Sequence, residues 1–367
     1  MDNLGKKIKR LTMVLILMVS AMPLDVEATT SITKTQSEET ASLLELINES
    51  LHENTEEEDQ VSLAETFLDT LSEKQQELVR NELTEENATT WSNVPATYEN
   101  RNGMSLGDLS EESIKAALKL MKASLSEEGY QTLTEIMKAD AFLHTEYKDD
   151  TLGSGMYFIS FLGTPSDNEP WMVQFSGHHL AENLVFNGKE AGATPQFTGV
   201  EPRAFTMWDN VTYRPIDDRI TSMEAMLGSL NDEQLKNAEM EEKFDEVVVG
   251  PEEDGNYPET VGIPYADLDK KQQTFVKKAI KAWVDDASDE AGGALLNAYF
   301  SEDALQNTHI AWSGSPDVEE TGAYVRIDGP RVWIELTSRE GESHPDNPHY
   351  HTVWRDKVAD YGGLFAE

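Results

Sequence analysis

Cysteine is absent from the sequence. That excludes disulfides, thiolate nucleophiles, Cys-based zinc sites, iron–sulfur clusters and a lipid anchor on an N-terminal cysteine. Basic residues are scarce: 29 Lys and Arg stand against 69 Asp and Glu, a formal net charge of -40 over 367 residues. Phosphate backbones need a basic partner surface, so nucleic acid is excluded as an expected partner. An anionic membrane surface would repel the chain as well. Beyond Leu24 no apolar run is long enough to cross a bilayer. Several catalytic signatures are missing too: no Gly-x-Ser-x-Gly elbow, no His-Glu-x-x-His, no P-loop and no Gly-x-Gly-x-x-Gly.

What is present begins with an address. Lys6, Lys7, Lys9 and Arg10 precede the apolar run Leu11–Leu24, and Val26-Glu27-Ala28 follows as a small-x-small site. Residues 1–28 read as a secretory signal peptide cut after Ala28; the alternative is an uncleaved anchor. The expected product is a secreted or cell-surface protein with no membrane span after cleavage. Residues 29–59 are acidic, with nine Asp and Glu and no Lys or Arg from Glu38 to Asp59. They read as a solvated tether, although Leu43, Leu44, Ile47 and Leu51 sit at helical spacing.

Residues 60–367 read as one large α+β domain. Helix starts are marked by Leu71-Ser72 before Gln75, Leu109-Ser110 before Ser113, Leu230-Asn231 before Gln234, and Leu268-Asp269 before Gln272. Each pairs a side-chain acceptor with a preceding leucine, and three of the four place Gln where a capping box wants it. The spacing predicts helices over 60–87, 110–145, 220–241 and 268–300. Apolar, β-branched runs around turns predict hairpins at Met156–Leu162 with Trp171–Phe175, and at Tyr324–Ile327 with Val332–Leu336. Helical pairs thus alternate with antiparallel hairpins. That order suggests two related halves, 60–215 and 216–367, around a shared site.

Six of the eight histidines lie from His178 onward. His178 and His179 follow the first hairpin, and His349 and His351 follow the second. In an extended segment His349 and His351 point to one side, because side chains alternate. Two such imidazoles, joined by one or both of His178 and His179, make a ligand set for zinc, copper, iron or manganese. Glu335 and Glu201 are the candidate ligands or bases, and Asp356, His309 and His344 are further candidates. Asn183, Arg355 and Trp312 are expected to orient a small-molecule ligand, and Arg203 and Arg326 to bind an anionic group. Trp171, Trp312, Trp333 and Trp354 would line a pocket or fill the core. The other reading of the histidines is plain bonding to backbone near loop ends, or direct use as acid or base.

The strings that carry this chemistry also carry a resemblance. Trp171-Met172-Val173-Gln174-Phe175-Ser176-Gly177-His178-His179-Leu180 with Asn183, Thr194-Pro195-Gln196-Phe197-Thr198-Gly199, Glu201-Pro202, Ile310-Ala311-Trp312-Ser313-Gly314, Arg326-Ile327-Asp328-Gly329-Pro330 and His349-Tyr350-His351-Thr352-Val353-Trp354-Arg355-Asp356 resemble the bacterial domain-of-unknown-function family numbered 3500. The resemblance runs from about Ser62 to the C-terminus, and Gly-His-His-Leu is its most specific element. Ala181 and Glu182 depart from the usual Ser and Leu. The resemblance implies an exported or surface protein and assigns no reaction or site residue. Two functions follow from the residues: a metal-dependent enzyme of hydrolytic type, or a non-catalytic surface module for a saccharide or other small ligand. Oligomeric state is left open.

Overall fold

The computed structural model describes residues 41–54, 58–187, 190–343, 345 and 347–366. The signal segment 1–28, residues 29–40 of the expected tether, and His344 lie outside them. The described residues belong to one unit spanning 39–367.

Local capping chemistry sets the helix starts. Ser72, Asn231 and Asp269 each close a full capping box, with the third residue's Gln reaching back to the cap N–H. These boxes open α3 (Glu73–Val79), α7 (Asp232–Ala238) and α8 (Lys270–Val284). Ser110 and Ser126 cap α4 (Glu111–Ser124) and α5 (Glu127–Tyr147). Three of the predicted long helices are therefore pairs, and the first, 60–87, divides into the helix Gln60–Asp69, α3, the strand Arg80–Asn81 and the one-turn helix Glu85–Ala88. A new N-cap interrupts each one, as at Leu125-Ser126, because an extended cap residue breaks the helical backbone. The remaining labelled helices are α1 (41–50), α2 (Gln60–Asp69), α6 (Asp217–Gly228) and α9 (Asp289–Tyr299).

Segment 41–50 departs from the tether expectation. Leu43, Leu44, Leu46 and Ile47 are buried, and the Ser50 hydroxyl bonds the Tyr130 hydroxyl at 2.6 Å. The apolar spacing, not the acidity, decides this stretch.

Eight strands form the body of a mostly antiparallel sheet: β1 (Phe158–Leu162), β2 (Trp171–Gly177), β3 (Leu180–Asn187), β4 (Gln196–Val200), β5 (His309–Ser313), β6 (Tyr324–Asp328), β7 (Val332–Glu340) and β8 (Pro348–Asp356). Their spatial order is β1-β2-β3-β4-β8-β7-β6-β5, with short strands at the edges. The order is symmetric about the β4–β8 pair. There Thr198 faces Thr352, and the two hydroxyls bond at 2.9 Å. With the shortest elements set aside, each half runs helix pair, short edge strand, 3-10 turn, helix pair and four strands.

The two faces are covered differently. Trp171, Val173 and Phe175 turn to the helices and join Phe67 and Tyr130 in the larger core. Met172, Phe197, Trp333 and Val353 turn the other way. They meet Trp91, Val247, Val249 and Tyr361, which come from connecting segments and the C-terminus. His349 and His351 alternate in phase with Val353, so they face this second, loop-covered side. Among the described residues no helix is long and apolar enough to cross a membrane.

Candidate functional site

Two strand features bring the histidines together. The turn joining β2 to β3 is His178-His179 itself, so these residues start a second hairpin rather than end the first. His179 adopts φ +63, a left-handed backbone that non-glycine residues seldom hold. It is pinned from both sides: its N–H donates to the Asn93 carbonyl at 2.9 Å, and its carbonyl accepts from the Gly199 N–H at 2.7 Å. Such strain, of the order of 1–3 kcal/mol, persists where the surroundings enforce it and concentrates at functional sites. Across the sheet, His351 pairs with Gly199. A Cβ at Gly199 would lie 3.1 Å from Cδ2 of both His179 and His351, so glycine makes the room in which these rings converge.

The result is a buried cluster. One ligand nitrogen from each of His179, His349 and His351 lies within 4.8 Å of the others. Nε2 of His179 and Nε2 of His349 are 2.6 Å apart. Behind the rings stand carboxylates. Glu246 accepts from His351 Nδ1 at 2.8 Å and from Arg339 at 2.8 Å. Glu201 Oε2 faces His349 Nδ1 at 3.4 Å, and its other oxygen accepts from the Ser343 N–H at 2.7 Å. His178 stacks on His179 with ring centroids 3.6 Å apart, and its Nδ1 meets Asp140 Oδ1 at 2.7 Å.

Electrostatics favour neutral rings. Burial drives His179 and His349 well below the usual histidine range, and the neighbouring imidazoles and Arg339 add to it. Burial also raises the Asp140 carboxyl, against the pull of His178. Neutral imidazoles are the form that binds metals. With Nδ1–H directed at Glu246, His351 turns an Nε2 lone pair inward, while His349 Nδ1 faces Glu201 without a hydrogen-bond partner. Nε2 of His351 is buried and has no protein partner.

The other expected site residues sit elsewhere. Glu335 is a closed carboxylate. It accepts from the N–H groups of Val248 and Val249 at 2.7 and 2.9 Å, from the Trp333 indole at 2.8 Å, and from the Tyr324 hydroxyl. Four donors leave it no capacity to act as ligand or base, so it positions the segment that carries Glu246. Arg355 works beside it. Its Nε and Nη2 donate to the carbonyls of Val249 and Gly250, both at 2.7 Å, and Nη1 pairs with Asp254 and Asp360. Asn183 is wholly buried between Gln174 and the Pro195 carbonyl. The Trp312 indole caps the Leu235 carbonyl at 2.8 Å. Neither meets the imidazoles.

Trp171, Trp333 and Trp354 are core residues. Arg203 pairs with Asp217 and Glu319, Arg326 stacks on Trp333, and Asp356 binds Arg331. His309 bonds the Asn307 carbonyl at 3.3 Å, away from the cluster. Sequence reasoning missed Asp140, Glu246 and Arg339. Only Asp140 carried a signal, as a lone acid among Ile136, Met137, Ala139 and Ala141 on one helix.

An open cleft of about 480 Å³ lies over the cluster and is lined by His178, His349 and His351, with Tyr98 and Arg339 among its walls. No curated protein and no solved structure matches the chain. One family model does, described as a protein of unknown function (DUF3500), and it covers residues 53–363. The imidazole cluster, its carboxylates and the strands that hold them all fall inside that span, and the chain belongs to this family.

Proposed function

We propose that this chain is an exported, metal-dependent enzyme of hydrolytic type, in which His179, His349 and His351 hold one zinc, copper or iron ion. One observation carries the proposal. Three buried imidazoles converge, with Glu246 bonded to the outer nitrogen of His351 and Glu201 3.4 Å from that of His349. That leaves an inward lone pair on His351 Nε2. Without a cation, His179 satisfies His349 and nothing satisfies His351 Nε2. An unpaired buried acceptor costs about 1–3 kcal/mol, and a metal removes that cost. Three imidazole nitrogens beside an open cleft would be the donor set of a catalytic rather than a structural site.

A bound divalent metal supplies Lewis acidity and brings a water toward ionisation near neutral pH. The chain's own groups do the rest. Glu201 and Glu246 orient His349 and His351. His178 is a fourth imidazole rather than a required ligand. Asp140 holds its Nδ1, so Nε2 is its basic nitrogen, poised to receive a proton at the cleft wall. Export rests on the Lys6–Ala28 segment alone.

The test is metal content after purification without chelator. Wild type should carry about one equivalent of a divalent transition metal, and the His349→Ala, His351→Ala double variant should carry essentially none. His178→Asn should retain the metal and lose turnover on ester or amide substrates. Negligible metal in wild type and double variant alike would sink the proposal.

A further inference from the structure

The cleft over the imidazoles has an unbalanced rim. Glu99 and Glu342 stand with Glu252 and Glu253 around its mouth, all four exposed. The one cation among the lining residues, Arg339, is already bound to Glu246. Tyr98, 71 % exposed, adds an aromatic surface at the same edge. An acidic rim alone is common on so acidic a chain. Here it surrounds a floor that is itself incomplete, because His351 is 4 % exposed, lines the cleft, and leaves Nε2 without a partner. Glu252 also holds φ +64, so the rim loop keeps a strained backbone at the tip that carries two of these carboxylates.

We infer that the cleft selects a positively charged substrate, one with an ammonium or guanidinium group placed beyond the bond that reacts. Low-dielectric walls focus the field of the four carboxylates into the cleft, and a cation entering it meets no unpaired lysine or arginine among the lining residues. The Tyr98 ring offers the same cation a π face. The reacting end then lies over His178, His349 and His351. The chemistry at that end rests on the metal proposal above; the charge selection does not.

Three small probes of one shape separate the effects: benzylammonium, benzyl alcohol and benzoate, each titrated into the full chain by calorimetry at low ionic strength. The expected order is benzylammonium at least about tenfold tighter than benzyl alcohol, with benzoate weakest, and the gap shrinking several-fold at 0.5 M salt. A rim variant, Glu99→Gln with Glu252→Gln, Glu253→Gln and Glu342→Gln, should bring the ammonium and the alcohol within about twofold. A control with the same charge change on helix faces, Glu65→Gln with Glu77→Gln, Glu112→Gln and Glu224→Gln, should keep the preference. Equal preference in the two variants would trace it to the net charge of the whole chain and overturn the inference. So would equal binding of ammonium and alcohol to wild type. Repeating the titrations after chelator treatment keeps the questions apart: a cation preference that survives metal removal supports the rim, while metal content alone decides the proposed chemistry.

Discussion

Gly199→Ala reaches the centre of the account with one methyl group. The added Cβ would sit 2.7 Å from the Tyr350 carbonyl oxygen and 3.1 Å from Cδ2 of His179 and of His351. The first neighbour is backbone of β8 and cannot rotate aside. Strands β4 and β8 must separate by a few tenths of an ångström, and two of the three imidazoles must move with them. Overpacking of this kind costs about 1–3 kcal/mol of stability. The same substitution at Gly293 meets nothing within 4 Å inside α9 and should add about 0.5–1 kcal/mol, because alanine suits a helix interior better. Urea denaturation of the two variants measures the stability terms, and titration of zinc into chelator-treated protein measures the site. Gly199→Ala should be less stable and bind zinc at least about tenfold more weakly, equivalent to about 1.4 kcal/mol. Gly293→Ala should be more stable with unchanged zinc affinity. A folded Gly199→Ala variant that binds zinc as wild type does would refute the convergence of these rings on one ion.

Other consequences follow from particular contacts. Glu246→Gln should weaken zinc binding about tenfold, the low end for an orienting carboxylate because this one is 44 % exposed; unchanged affinity would separate Glu246 from the site. Glu182 lies on the helix side of the sheet, its carboxyl pushed up to about 8 by burial, with Asp286 adding to it. Its unfolded value is lower, so the folded chain holds a proton the unfolded chain has released. Stability from this group is full below about pH 4.5 and is lost as pH rises toward 8. Glu182→Gln should abolish that slope, gaining roughly 2–5 kcal/mol over wild type between pH 4.5 and 9 in denaturation midpoints, and parallel pH profiles would contradict the burial argument. Ile47→Ala should cost about 2–4 kcal/mol, because Ile47 is completely buried; a loss under about 0.5 kcal/mol would return residues 41–50 to the status of a tether.

The legible parts of the sequence were those governed by short-range physics. Ser72, Asn231 and Asp269 announced helix starts because a cap and its third residue lie within one turn. His349 and His351 announced a shared face because strand alternation is local. Pairing them with His179 rested only on two histidine pairs at hairpin ends, yet these rings meet across 170 residues of chain. The carboxylates were opaque. Glu246 reaches His351 from 105 residues away, out of a loop with no regular pattern. Glu335 looked free in the alternating strand Val332–Leu336, but N–H groups 86 and 87 residues distant occupy it. Residues 41–50 show the reverse error: charge counts suggested solvent, while four apolar side chains at helical spacing found a core.

The most direct test is a crystal of chelator-free protein measured at the absorption edges of zinc, copper and iron. One anomalous peak should lie about 2.0–2.1 Å from a ring nitrogen of each of His179, His349 and His351. No peak there at any edge, with the imidazoles bonded to one another or to water, would contradict the metal centre on which the proposed function stands.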